Sequence, residues 1–310
     1  MDLLLRPLEA LKVATAPARL RWPPLFVVGA PRTGTTLVGL HLSNSLRFAG
    51  FCNAAKFNPR TPYLSTREAL RESTSLTSSA SSAPSASYAN DYGRAEGPLA
   101  TSDGWHILAR FFPSRHTEAG PGDVRHPRRL VALMGLIEGL FGAPFMLKNN
   151  ANSMRVKALA DLFPDALFVQ VRRALPEAAT SLLRARQKHG TQLGDWWSAA
   201  PPQFRQRGEW NGELEQVVAT LWGLEQYVAE ELEQLAPGRW LPVDYDEFCA
   251  APGDLLAWVE ARYAERGVTL ETLPREHPSS FEASRMAEPA RSELAARIAP
   301  ILERLKRLQA

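Results

Sequence analysis

The strongest constraint in this 310-residue chain sits near its start, where Leu25-Phe26-Val27-Val28 runs straight into Gly29-Ala30-Pro31-Arg32-Thr33-Gly34-Thr35-Thr36. A short apolar run rich in branched residues reads as a buried strand. The loop after it carries two glycines, and Leu37-Val38-Gly39-Leu40-His41-Leu42 suits a helix. Strand, glycine-bearing loop and helix in that order open an α/β unit and turn backbone N–H groups toward an anion at the helix start. The loop almost fits the nucleotide pattern G-x-x-x-x-G-K-[ST]. Gly29, Gly34 and Thr36 are in place, but Thr35 stands at the lysine position. In an ATP-using enzyme that lysine reaches the β- and γ-phosphates, and the hydroxyl after it holds magnesium. Here the cradle is kept, the ATP-specific cation is gone, and a cation appears earlier, at Arg32.

The rest of the chain alternates between the two periodicities. Helices are predicted over residues 131–140, 153–162, 176–186 and 214–235. Strands are predicted over 145–147, 166–171 and 240–243, the last at a sheet edge because Pro242 cannot donate to a central ladder. An amphipathic helix is predicted over 292–308, interrupted near Pro300. Alternating strands and helices imply a three-layer, P-loop-like α/β fold with a central parallel sheet flanked by helices. We read residues 1–310 as one domain. Residues 73–87 collapse to Ser, Ala and Thr, broken by Leu76 and Pro84, and read as a low-complexity insertion. It is either a lid over a site or a loop without a role.

Charge and cysteines narrow the partners. The net charge is +3, which suits an anionic ligand without implying nucleic acid. Cys52 and Cys249 offer neither metal spacing nor a disulfide framework. Residues 1–20 mix leucines with Asp2, Arg6, Glu9 and Lys12, and no stretch reaches membrane-spanning length. The expectation is a cytoplasmic protein with no membrane span.

At the loop the chain resembles a known family. Pro31-Arg32-Thr33-Gly34-Thr35-Thr36 is similar, position by position, to the 5′-phosphosulfate loop of sulfotransferases that use 3′-phosphoadenosine 5′-phosphosulfate (PAPS). The resemblance implies that Arg32, Thr33, Gly34, Thr35 and Thr36 hold the phosphosulfate, with Arg32 assisting the leaving group. It implies a 3′-phosphate site of one arginine at a strand end and a serine eight residues on, which Arg173 and Ser181 supply. Arg172, adjacent and basic, is open to the same role. Leu147-Lys148-Asn149-Asn150 and Phe163-Pro164-Asp165-Ala166 resemble the run before the 3′-phosphate strand, making Lys148 the lysine that faces the sulfuryl group. Val243-Asp244-Tyr245-Asp246-Glu247-Phe248 resembles the segment whose tyrosine lies near the adenine. Tyr245 is that tyrosine, or a tyrosine of the core.

A hydroxyl acceptor also requires a general base. Small-molecule members of the family place a histidine near the central lysine, where this chain has Asn150, which cannot take a proton. The resemblance is therefore closer to the bacterial and carbohydrate-type branches, which use a carboxylate from an earlier segment. Asp103 is the first candidate, Glu96 the second and His106 the third. Asp103 could equally cap a helix starting near Trp105. Sulfuryl transfer calls for no metal. The implied acceptor is a carbohydrate, polysaccharide or small metabolite. Trp196-Trp197 would stack on a sugar or seal a core edge. The C-terminal amphipathic helix leaves room for a homodimer. The alternatives are a nucleotide-binding scaffold that lost its base, and a P-loop kinase.

Overall fold

The computed structural model describes residues 2–77, 88, 97–113, 118–274 and 277–308. Helix α1 (Asp2–Thr15) precedes strand β1 (Leu25–Val28), which feeds α2 (Thr35–Ser45). Then come α3 (Asn53–Phe57), α4 (Pro62–Thr77), the one-turn α5 (Trp105–Leu108), α6 (Pro127–Phe141), β2 (Met146–Lys148) and α7 (Val156–Leu162). The second half holds β3 (Leu167–Arg172), α8 (Leu175–Lys188), α9 (Glu213–Glu233), β4 (Trp240–Asp244), α10 (Tyr245–Ala250), α11 (Pro252–Ala264) and α12 (Ala290–Arg307).

The four strands pair in the order β2-β1-β3-β4, all parallel. Pro242 stands opposite Gln170 on the edge strand, as its missing N–H predicts. A parallel sheet needs both faces covered, so its strands are mainly apolar, with Lys148, Arg172 and Asp244 at strand ends and Gln170 the polar exception inside β3. Phe26, Val28 and Phe168 pack with α6, α7 and the end of α9. Leu25, Val27, Leu167, Val169 and Val171 pack with α2, α10 and α11. The Phe26 ring lies 5.4 Å from that of Phe168 and 5.9 Å from that of Phe163. Truncating such a residue typically costs about 3–5 kcal/mol. A third cluster joins α8, α9 and α12.

Three expectations are revised. The helix predicted over 153–162 is broken: a 3-10 turn (Asn150–Met154) ends at Arg155, and α7 starts afterwards. Arg155 is fully buried with its guanidinium 4.2 Å from the Phe112 ring centroid, and Ser153 is drawn to the β1 loop. Helix α12 runs unbroken through Pro300. Its Ile298 and Leu305 are buried against α8 and α9, and that packing outweighs the lost backbone bond. The apolar stripe of α12 is thus covered within the chain. Finally, residues 73–77 continue α4 rather than forming loop; residues 78–87 lie outside the described residues.

Helix α1 had no sequence signal of its own. It is anchored by Glu9, whose carboxylate accepts the N–H groups of Tyr63 and Leu64 at the start of α4, at 2.9 and 3.0 Å. No helix among the described residues is long and apolar enough to cross a membrane.

Candidate active site

Because the strands are parallel, their carboxyl ends share one edge, and ligands of such sheets bind there. Gly29 follows β1, Lys148 closes β2, Arg173 follows β3 and Tyr245 follows β4. The distant motifs of the sequence therefore converge without any special device.

The β1–α2 loop is held in place from several sides. At Gly29 (φ 152°) a Cβ would lie 2.6 Å from the Val171 carbonyl oxygen, so no larger residue fits. Ser153 Oγ donates to the Gly29 carbonyl and accepts from the Gly29 N–H, both at 2.9 Å. Thr33 Oγ1 donates to the Ala30 carbonyl at 2.8 Å. Thr35 Oγ1, at the former lysine position, donates to Asn150 Oδ1 at 3.0 Å. Asn150 thus steadies the loop from the position where a histidine base would stand. Arg32 adopts a left-handed φ of 69°, a conformation that costs a non-glycine residue about 1–2 kcal/mol. The surrounding bonds hold it there.

The second arm meets the first. Arg32 Nε donates to Ser181 Oγ at 3.0 Å, joining residues 149 apart. Arg173 Nη1 donates to the Arg32 carbonyl at 3.4 Å, and its Nη2 donates to the Ser284 carbonyl. The two neighbouring arginines turn opposite ways. Arg172 donates through Nε and Nη2 to Gln170 Oε1 at 3.2 and 2.9 Å and faces Glu225. Arg173 is the one turned to the loop. With Ser181, Glu177, Arg184 and the 284–287 segment, it lines a cleft of about 290 Å³. Glu177 is neutralised there by Arg291 at 2.7 Å. A larger cleft of about 720 Å³ between α8 and α12 adjoins it but holds none of the loop residues.

Tyr245 is buried behind the loop. A Cβ on Gly34 would run into its ring, and the Arg173 guanidinium lies 4.4 Å from its centroid. Burial raises its hydroxyl pKa. It touches the β1–α2 loop and Arg173 on one side, and on the other it packs in the core and bonds Cys249.

On the other side of β1, the Lys148 stem packs on Gly39, whose Cβ would lie 3.1 Å from that of Lys148. Part of the side chain reaches solvent, yet burial is the main effect on its ammonium and lowers its pKa. Asp103 works in the opposite direction, and Arg32 adds to the lowering. Lys148, Asp103 and Arg32 therefore share one electrostatic environment. Asp103 Oδ1 accepts from the Trp105 N–H at 3.2 Å, so it begins α5 as expected of a cap. Asp103 Oδ2 makes no hydrogen bond among the described residues. His106 is exposed on α5 beside the Trp105 ring. Glu96 lies outside the described residues.

Asn149 emerges only from the structure. Its Nδ2 donates to the Asp103 carbonyl at 2.7 Å, and its Oδ1 accepts from the Ala151 N–H at 2.8 Å. One buried amide ties the strand end carrying Lys148 to the segment carrying Asp103. The available signal was the run Asn149-Asn150-Ala151-Asn152-Ser153 directly after a strand, since Asn and Ser bond nearby backbone. The tryptophans lie elsewhere. Trp196 packs edge-on to Trp210 and Trp197 stacks on His189, both against the α8–α9–α12 core. They seal that core.

Comparison with known proteins decides the family. Residues 23–262 match the sequence profile of the sulfotransferase family. The chain belongs to the sulfotransferase family. As a sulfotransferase it is a transferase enzyme that moves sulfuryl groups. Among solved structures it is similar to the sulfotransferase STF1 from Mycobacterium tuberculosis, at 17% identity and a TM-score of 0.53, covering 100% of this chain and 81% of that one. It is also similar to STF9 from Mycobacterium avium, at 14% identity and a TM-score of 0.52, covering 94% and 71%. These likenesses concern the fold. No curated protein sequence matches. Among the described residues of this sulfotransferase, no group of three or more His, Cys, Asp and Glu is placed to hold a metal.

Proposed function

We propose that this sulfotransferase uses PAPS and transfers its sulfuryl group to a hydroxyl or amine of a carbohydrate or small metabolite, by metal-independent in-line displacement. One observation carries the donor reading. The Arg32–Ser181 bond, with Arg173 on the Arg32 carbonyl, joins the phosphosulfate loop to a second anion arm. A nucleotide with phosphate at both its 5′ and 3′ positions needs two such arms, and Arg173 supplies a bidentate fork for the second. Arg32, Thr33, Gly34, Thr35 and Thr36 bind the phosphosulfate. Arg173 and Ser181 bind the 3′-phosphate, and Tyr245 positions both arms.

In the transfer, an acceptor oxygen forms the new bond to sulfur. The bond from sulfur to the bridging oxygen of adenosine 3′,5′-bisphosphate (PAP) breaks. Lys148, Arg32 and the N–H groups of residues 33–36 meet the charge that grows on that oxygen, which is where preorganised donors lower a barrier most. Asp103 Oδ2 takes the acceptor proton. The two buried free thiols, Cys52 and Cys249, fit a reducing cytoplasmic setting.

Calorimetric titration tests the donor. PAP should bind more tightly than ADP or ATP–magnesium. Arg173→Ala should weaken PAP by roughly 10- to 100-fold, the worth of a charge-assisted hydrogen bond, while leaving ADP unaffected. Equal affinity for PAP and ADP would sink the reading. Asp103→Asn should lower transfer of labelled sulfur without changing PAP affinity. Full activity in that variant would return the base to Glu96 or His106.

A further inference from the structure

Five exposed arginines (Arg60, Arg110, Arg125, Arg128 and Arg129) come from separate stretches of chain and share one surface. Arg110 Nη1 donates to the Pro59 carbonyl at 2.8 Å, which sets it beside Arg60. The Arg125 N–H donates to the Phe111 carbonyl at 2.7 Å, which brings the approach to α6 against the same turn. Arg128 and Arg129 occupy the first turn of α6. Burial is the main effect lowering the pKa of Arg110, and Arg60 and Arg129 lie close enough to add to it. Glu9 opposes them more strongly than either arginine alone, although its carboxylate also accepts the N–H groups at the start of α4. Among the described residues none of the five arginines forms an ion pair.

Arg110 is held by the Pro59 carbonyl, the Phe111 ring and the charge of Glu9, but no such contact holds Arg128 or Arg129 among the described residues. Like charges repel, and two cations stand at the positive end of the α6 dipole, where carboxylates are favoured. Beside them Phe57, at the end of α3, is 77% exposed and presents a flat apolar face. The surface is continuous with the proposed acceptor side. Asn53 on α3 bonds the 97–100 segment through Ala100 O and Gly97 O, at 3.0 and 2.9 Å. Arg110 lies seven residue steps after Asp103 along a mostly helical stretch, about 10 Å at 1.5 Å per step.

We infer that this surface binds an anionic glycan strand and delivers one of its hydroxyls to Asp103. The delivery half of the inference rests on the sulfotransferase reading above. A glycan is the polyanion that fits, because its chain is dense in the free hydroxyls that sulfuryl transfer consumes. The backbone of duplex DNA offers none.

The test uses fluorescence anisotropy with three labelled probes: a heparin oligosaccharide, a neutral dextran oligosaccharide and a short DNA duplex. The proteins are wild type, R128E/R129E, and K306E/R307E as a charge-matched control on α12. Wild type should bind the heparin probe best and dextran least, with affinity falling as salt screens the contact. R128E/R129E should lose on the order of tenfold in heparin affinity while its melting temperature holds or rises, because carboxylates suit a helix start. The control should bind like wild type. Equal loss in both variants, dextran bound as well as heparin, or DNA bound as tightly as heparin would each overturn the inference. PAP titration on the same proteins keeps the two readings apart. Heparin binding that depends on Arg128 and Arg129 without PAP binding keeps the surface and removes the donor assignment. PAP binding with heparin affinity indifferent to those arginines does the reverse.

Discussion

On the proposed donor side Gly29, Lys148, Arg173 and Tyr245 lie at strand ends, whereas on the proposed acceptor side Asp103, Phe57 and the arginines sit on connections and at helix ends. Gly29, Lys148, Arg173 and Tyr245 inherit their positions from four paired strands. Asp103 is held by one capping bond and by the amide of Asn149. The donor, if it is PAPS, is the same for every reaction of this kind, so rigidity there costs no versatility. The acceptor differs from enzyme to enzyme, and connections change more readily than sheets. Rigid donor arms beside a variable acceptor edge are what this division of labour predicts.

The comparison is broken most directly at Lys148, which stands between the two sides. Lys148→Met should lower kcat by about 10²–10³-fold, the usual cost of removing one preorganised donor to developing charge. Its stability should hold or rise. Burial lowers the pKa of Lys148 in the fold, so the charged form costs stability at neutral pH, and methionine removes that cost. The same shift gives wild type an alkaline limb. Activity should fall as Lys148 loses its proton, at a pH below the ordinary lysine value of 10.5. Rate measurements across pH, with thermal melts of both proteins, check both statements.

Gly34→Ala tests the rigidity of the donor side. Its φ of 101° and the Tyr245 ring leave no room for a Cβ. The variant should lose at least about tenfold in PAP affinity, from backbone strain of about 1–2 kcal/mol and the displaced ring. Unchanged affinity would mean that the loop is softer than its contacts imply.

Asn149→Ser separates the sides. Serine keeps an oxygen that can cap the 3-10 turn but cannot reach the Asp103 carbonyl. The expectation is a loss in kcat of roughly tenfold through misplacement of the base. PAP affinity should stay constant, because Asn149 touches none of the groups proposed to hold the nucleotide. Equal losses in kcat and PAP affinity would reduce Asn149 to a structural residue.

The remaining prediction concerns stability rather than catalysis, at His41 on the face of α2 away from the chemistry. It is buried edge-on to Phe248 and Phe281, each 5.5 Å away, and burial brings its pKa down to about 4. Above pH 6.5 it is neutral folded or unfolded. Below that the unfolded chain binds a proton that the folded chain refuses. Stability should therefore fall between pH 6.5 and pH 4, by as much as roughly 2–3 kcal/mol. His41→Gln should flatten that slope in denaturant titrations.

Much of the proposed donor side was legible in the residues alone. The strand Leu25-Phe26-Val27-Val28, the loop through Thr36, and the spacing of Arg173 and Ser181 are local patterns, written within eight or nine residues. Such patterns survive because a strand end and a helix start impose their geometry over that span. The choice between Arg172 and Arg173 was not legible, because it depends on Gln170 and on Glu225 from α9. Nor was the tie from Asn149 to Asp103, which crosses 46 residues. The role of Trp196 and Trp197 likewise waited on seeing which core lay behind them.

What the residues determined by themselves is the layered α/β order, the anion loop without an ATP lysine, and hence the class of donor to expect. Only the tertiary structure decided that Arg32 meets Ser181, that Asn150 serves the loop, that α12 runs through Pro300, and that five arginines from separate stretches form one face. The reason is physical. Local backbone geometry follows from neighbours in sequence, but partners 40 to 150 residues apart are chosen by the packing that brings their elements together.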